Sequence, residues 1–175
     1  MVKKETFKHS NRKKILKYIE KNIPFKKHSL VQKGFSSYNS VFDYTKCDGI
    51  FLPYIHKFCS MAGKDYRILD FWINIVEPGG YTKPHNHITE FEELKQIPQK
   101  TGVFYLQKPR HSGNLYIENN LIKVKNNDIL IFDPSLNHHT EINKSNNQRI
   151  IFSVNMAEKV TKDYIDGKFY FVKEL

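Results

Sequence analysis

Cysteine is nearly absent from this chain: Cys47 and Cys59 are the only two among 175 residues, and they do not form a Cys-x-x-Cys pair. That excludes a disulfide framework and a thiolate zinc cluster, and leaves both as reduced packing residues. Long apolar runs are missing as well. None approaches the roughly 18 residues that a membrane-spanning helix needs, and the lysine-rich start is not followed by the apolar core of a signal peptide. The chain therefore reads as a soluble, cytoplasmic protein. It has no glycine-rich phosphate loop, no Gly-x-Ser-x-Gly elbow and no His-Glu-x-x-His helix, so the chemistries those patterns serve have no sequence support. There is no internal repeat and no low-complexity segment.

The length suits one domain with a sizeable core. Thirteen Phe and ten Tyr favour strands over helices. The net charge of +10 is unevenly spread: residues 1–34 carry eleven Lys and Arg against Glu5 and Glu20, and the remainder is almost neutral. A segment of this kind is either a footprint for an acidic or nucleic-acid partner or the solvated face of a helix. No base-reading motif accompanies it.

Residues 1–10 lack periodicity and read as mobile. Asn11 is placed to cap a helix over 12–21, with Ile15, Leu16 and Ile19 on one stripe, ended by Pro24. Residues 28–48 are polar and mixed and read as a loop. The spacing of Ile50, Leu52, Ile55, Phe58, Cys59 and Ala62 predicts a second amphipathic helix, closed at Gly63 and packed outside a sheet. From there the pattern becomes extended. Residues 67–77 form a buried strand closed by the turn Pro78-Gly79-Gly80, and 89–100 read as an excursion over a barrel mouth. Short strands follow over 102–107, 114–118, 121–125, 129–132, 140–143 and 149–155, separated by Gly, Asn and Asp-Pro turns. A short helical stretch near Lys159 and an alternating piece over 168–172 complete the tail. About eight short strands without intervening helices predict a barrel or jelly roll.

The chemistry concentrates in Pro84-His85-Asn86-His87 and Asn137-His138-His139. On extended backbone, positions i and i+2 project from one face, so His85 and His87 stand side by side. A third imidazole from another strand completes a set of three nitrogens for a divalent transition metal, with coordination positions left open. His138 and His139 face opposite ways on a strand, so only one can join the set. Strand parity also puts Ile151, Ser153 and Asn155 on the face of Arg149.

The ordered run Trp72-Ile73-Asn74, Gly79-Gly80, Pro84-His85-Asn86-His87, Thr101-Gly102-Val103-Phe104-Tyr105-Leu106, Gly113-Asn114-Leu115-Tyr116, Asn127-Asp128-Ile129-Leu130-Ile131-Phe132, the His138 segment and Arg149-Ile150-Ile151-Phe152-Ser153-Val154-Asn155 resembles the iron(II)- and 2-oxoglutarate-dependent oxygenases. It is most similar to small members of that superfamily. The resemblance implies a mainly β protein with a double-stranded β-helix (a jelly-roll, cupin-like barrel) and iron(II) bound by His85, His87 and His138. It also implies that Arg149 anchors the far carboxylate of 2-oxoglutarate, with Ser153, Tyr105 and Asn74 as further co-substrate contacts. The spacing from Phe132 matches the family's distal histidine at His138. The division expected is a single domain over 1–175, with a basic helical segment (1–65) packed on the barrel, the barrel itself (66–156) and a C-terminal extension (157–175).

One position departs from the family pattern: most members have a carboxylate where this chain has His87. Either the ligand set is all histidine, or a carboxylate among Glu90, Glu92, Glu93 and Asp133 replaces His87. The departure leaves a cupin reading open, without 2-oxoglutarate, in which Gly79, His85, His87 and Glu92 fit the first motif and Pro134, His139 and Asn143 loosely fit the second. Leu136 stands where that motif has glycine. Only the oxygenase needs Arg149. A third reading is a basic binding module that kept the barrel without its metal.

Overall fold

In the computed structural model, residues 1–8, 11–38, 49–88 and 95–158 are described. In order they form β1 (Lys3–Thr6), α1 (Arg12–Asn22), β2 (Lys26–His28), β3 (Val31–Ser36), α2 (Leu52–Ala62), β4 (Tyr66–Thr82), β5 (Gln99–Gln107), β6 (Leu115–Ile117), β7 (Asn120–Ile122), β8 (Asp128–Phe132), β9 (His138–Thr140) and β10 (Arg149–Glu158). Seven strands make one sheet in the order β1-β8-β5-β10-β4-β3-β2, and β7-β6-β9 make a second. All pairs are antiparallel. Two facing antiparallel sheets are the jelly-roll form of the double-stranded β-helix. No helix of the described residues is long and apolar enough to cross a membrane.

Alternation along the central strands assigns their residues to two faces. Phe104, Phe152, Val154, Ile129 and Ile131 face outward and pack under Ile15 and Ile19 of α1 and Tyr54, Ile55 and Phe58 of α2. Both helices thus lie outside the large sheet, as their stripes predicted. Gly102 admits the second helix: a Cβ there would come within 2.8 Å of the Phe58 ring and 3.0 Å of the Leu130 carbonyl. The opposite face, with Val103, Tyr105, Leu130, Phe132 and Ile151, meets Leu115 and Ile117 of the small sheet. The site lies between these two sheets.

Several local expectations are corrected. Residues 3–6 are a strand rather than a mobile end, paired with β8 from Lys3↔Ile131 to Thr6↔Asp128. The Lys4 ammonium lies 2.8 Å from the buried Asp128 carboxylate, which also accepts from the Thr6 hydroxyl at 3.2 Å. Asn11 occupies the N-cap of α1 but makes no side-chain cap hydrogen bond. The polar stretch after residue 28 contains β3, which pairs with β4. The segment 1–65 is therefore strand as well as helix. β5 begins at Gln99, so the excursion is shorter than 89–100, and β10 runs to Glu158. Residues 89–94, with Glu90, Glu92 and Glu93, lie outside the described residues, as do Cys47 and the tail after 158.

Pro78-Gly79-Gly80 does not end its strand. Opposite β3 the register jumps from Gln32↔Tyr81 to Gly34↔Val76, so the turn is a wide bulge within β4. Gly79 holds φ +78°, and a Cβ on Gly80 would lie 2.4 Å from the Lys33 carbonyl. Before the bulge β4 pairs with β10; beyond it, Gly79 N donates to Asn143 O at 2.7 Å and Thr82 N to Thr140 Oγ1 at 2.9 Å. Tyr81 and Thr82 stay paired with β3, while the bend brings the end of β4 beside β9 of the small sheet, and the histidine motif with it.

Candidate metal centre

Beyond β4 the chain bends at Pro84, and His85 forms an isolated antiparallel bridge with His138. His85 and His138 exchange backbone hydrogen bonds, His85 N to His138 O at 3.1 Å and His138 N to His85 O at 2.8 Å, and His87 N donates to Pro134 O at 2.8 Å. Alternate residues thus anchor to the loop before β9 and to its first residue, and the imidazoles of His85 and His87 share a face. His138 enters from β9. One ligand-type nitrogen from each of the three rings lies within 4.8 Å of the others. The ring centroids are 5.1 Å apart for His85 and His87, 4.2 Å for His85 and His138, and 5.0 Å for His87 and His138.

Each ring has its Nδ1 against an oxygen acceptor: Lys83 O for His85 (2.8 Å), Asn155 Oδ1 for His87 (2.8 Å) and Leu136 O for His138 (3.1 Å). A carbonyl oxygen can only accept, so all three carry the proton on Nδ1 and present an unprotonated Nε2. Burial opposes their protonation. It lowers the His85 pKa, brings His87 down to about 4 with help from His85, and brings His138 to about 3 with help from both neighbours. At neutral pH all three imidazoles are uncharged. Trp72 stacks on His87 at 5.5 Å and 22°, and the Phe132 ring meets His138 edge-on at 4.9 Å.

The cleft below the rings is floored by cross-strand rows of β4, β10 and β5: Asn74, Ile151 and Tyr105, then Trp72, Ser153 and Val103, with Thr101 of β5 beyond them. Thr82, Leu115 and Thr140 complete its wall. Asn74, Tyr105 and Ser153 line the cleft, Ser153 on the face of β10 that it shares with Arg149. Arg149 lies further along the same face of β10, fully buried, behind Thr140 and Tyr105. Its Nη1 donates to Ser112 O and, at 3.3 Å, to Glu141 O, and its Nη2 donates to Thr140 Oγ1 at 2.6 Å. All three acceptors are neutral, and Nε has no partner. Also buried without partners are Asn74 Oδ1, Thr82 Oγ1 and the Tyr105 hydroxyl. Burial pushes the Tyr105 phenol up to about 12, with Arg149 pulling the other way, so it stays a neutral donor.

His139 turns outward, its ring stacked on Tyr116 at 4.9 Å and 5°. Asp133 accepts from Ser135. Neither joins the three-histidine cluster. The cupin set thus lacks His139, and its Glu92 lies outside the described residues. Nothing in the sequence pattern singles out Thr140, Thr82, Thr101 or Asp70. Thr140 was within reach, since it is two residues after His138 and so on the same face. Asp70 depends on a strand pairing that its neighbours in sequence do not encode.

No family model matches the sequence, and no curated protein matches it. Solved structures do match in fold. The viral collagen prolyl hydroxylase of Paramecium bursaria Chlorella virus-1, in a 2-oxoglutarate complex, has a TM-score of 0.62 at 14% identity, over 90% of this chain and 96% of that one. HygX from Streptomyces hygroscopicus, with nickel and 2-oxoglutarate bound, gives 0.68 at 11% identity, over 97% and 91%. A prolyl-4-hydroxylase from Pseudomonas putida gives 0.60 at 10% identity, over 91% and 92%. The chain has the jelly-roll fold of these 2-oxoglutarate oxygenase structures, spanned nearly end to end.

Proposed function

We propose that this chain is an iron(II)- and 2-oxoglutarate-dependent dioxygenase that hydroxylates an organic substrate, with His85, His87 and His138 as the iron ligands. One observation carries the reading: three imidazoles, each with a ligand-type nitrogen within 4.8 Å of the others, converge over a cleft that leads towards a fully buried arginine bonded only to neutral acceptors. A buried guanidinium without an anion is costly, and its fork suits a carboxylate. The unpartnered Tyr105 hydroxyl and Arg149 Nε are donors such an acid would satisfy, whereas the unpartnered Asn74 Oδ1 is an acceptor and meets the acid only once that amide is turned over.

When bound, iron(II) and 2-oxoglutarate together supply the oxidising power to insert oxygen from O2 into a C–H bond. The three imidazoles would hold the metal, and no other described Cys, Asp, Glu or His joins them. Arg149 and Tyr105 receive the far carboxylate of the 2-oxo acid. Thr140 Oγ1 already accepts from Arg149 Nη2 and from Thr82 N, so its own hydrogen is left to donate. Ser153 adds a hydroxyl on the same floor, and rotating the Asn74 amide turns its NH2 towards the acid. Trp72 and Phe132 shield the ligand rings from water.

Anaerobic addition of iron(II) and then 2-oxoglutarate tests this. The expected result is the weak visible charge-transfer band of the iron chelate. Arg149→Gln should weaken 2-oxoglutarate binding at least about 30-fold, equivalent to the roughly 2 kcal/mol lower bound for truncating one side of a buried charge pair. A missing band in the native protein, or unaltered affinity in the variant, overturns the reading.

A further inference from the structure

The three imidazoles are not held alike. His85 and His138 each donate Nδ1–H to a backbone carbonyl two residues earlier, Lys83 O and Leu136 O, and a carbonyl can only accept. His87 donates instead to a side-chain amide, Asn155 Oδ1, at 2.8 Å. An amide has two ends. Turned over, it would present NH2 to the ring and require the other tautomer, in which Nε2 carries the proton and cannot bind a metal. Something must choose between the two.

Asp70 makes that choice. It is the cross-strand partner of Asn155 on β4, next to the β-bulge at Asn155/Met156. Asn155 Nδ2 donates to Asp70 Oδ2 at 3.2 Å. An ionised carboxylate offers no hydrogen, so the NH2 end of Asn155 must face Asp70 and the oxygen must face His87. We propose that Asp70 is a positioning residue for the metal centre: acting through Asn155, it fixes the tautomer and orientation of His87 and sets a negative charge one amide away from an otherwise neutral ligand set. The inference rests on His87 being a ligand. Burial raises the Asp70 carboxyl and the Asn155 donor counteracts it, so the amide bond also helps to keep the carboxylate charged.

Asp70→Asn is nearly isosteric but removes the selection, because an asparagine at 70 can meet either end of the Asn155 amide. The double variant Asp70→Asn with Asn155→Asp restores it, since an aspartate at 155 accepts directly from His87. Two measurements apply: the imidazole 15N spectrum of the metal-free protein, and cobalt(II) affinity by titration of its visible bands. The native protein should show His87 only as the Nδ1–H form. D70N should show a mixture and bind cobalt(II) about 10-fold more weakly, the lower end for loss of an outer hydrogen-bond partner. The double variant should return to a single tautomer and to native affinity.

If the native protein binds cobalt(II) and D70N keeps both a single Nδ1–H tautomer and native affinity, the role of Asp70 is overturned. A D70N variant that loses affinity without rescue in the double variant also overturns it, because loss of packing alone would behave that way. Failure of the native protein to bind cobalt(II) removes the ligand role of His87 itself, and is distinguished from the other outcomes because it appears before any substitution.

Discussion

His138 and His139 are chemically identical neighbours with opposite surroundings. The first is 5% exposed and turns into the cluster, whereas the second lies flat against Tyr116. His138→Ala should weaken metal binding more than 100-fold, beyond the ~10–100-fold typical of losing an outer partner; His139→Ala should leave it within about 3-fold, and isothermal titration separates the two. The same burial gives the metal-free protein an acid sensitivity. His87 and His138 have folded pKa values of about 4 and about 3, well below the 6.5 of a free imidazole. The unfolded chain therefore takes up protons that the folded one resists. Their penalty is absent above pH 6.5 and grows as pH falls towards 4. The Tm of the chelated protein should drop across that window, and less steeply in His87→Asn. The pairing of His85 with His87 was legible in the sequence because strand parity is fixed by covalent geometry. The Asp70–Asn155–His87 chain was not, because it depends on the register of two strands 85 positions apart.

At the scale of elements, the sequence showed what is periodic and concealed what is held by partners. α1, α2 and the long strands declare themselves through spacing. β1 does not: its four exposed residues form a strand because β8 offers an edge and Asp128 offers a buried charge to Lys4. The bulge in β4 hid behind a turn signal, since Pro-Gly-Gly reads locally as an ending. Removing residues 1–8 should leave β8 as an unpaired edge and cause concentration-dependent aggregation, detectable by light scattering. Gly102→Ala should push α2 away from the sheet and cost about 1–3 kcal/mol by denaturant titration. It should leave metal affinity unchanged, because that strand's cleft side is untouched. Equal stability of the two proteins would refute the packing account.

For the whole molecule, the two faces of the large sheet separate stability from chemistry. The helices and their aromatic core cover one face, and the cleft opens on the other. The basic segment lies with the helices: Lys13, Lys14, Lys17 and Lys21 are exposed on α1, behind the sheet that floors the histidine cleft. Deleting residues 1–34 would remove β1, β2, most of β3 and part of the core, so any role for an acidic or nucleic-acid partner is better sought by neutralising those lysines. The central claim is that three imidazoles from two separate segments meet on one ion. X-ray absorption at the iron edge of the anaerobic iron(II)-loaded protein counts them directly, through the scattering of the outer imidazole atoms. Three imidazoles per iron are expected, falling to two in His138→Ala; one imidazole or none, or a count unmoved by that substitution, would contradict the three-histidine centre.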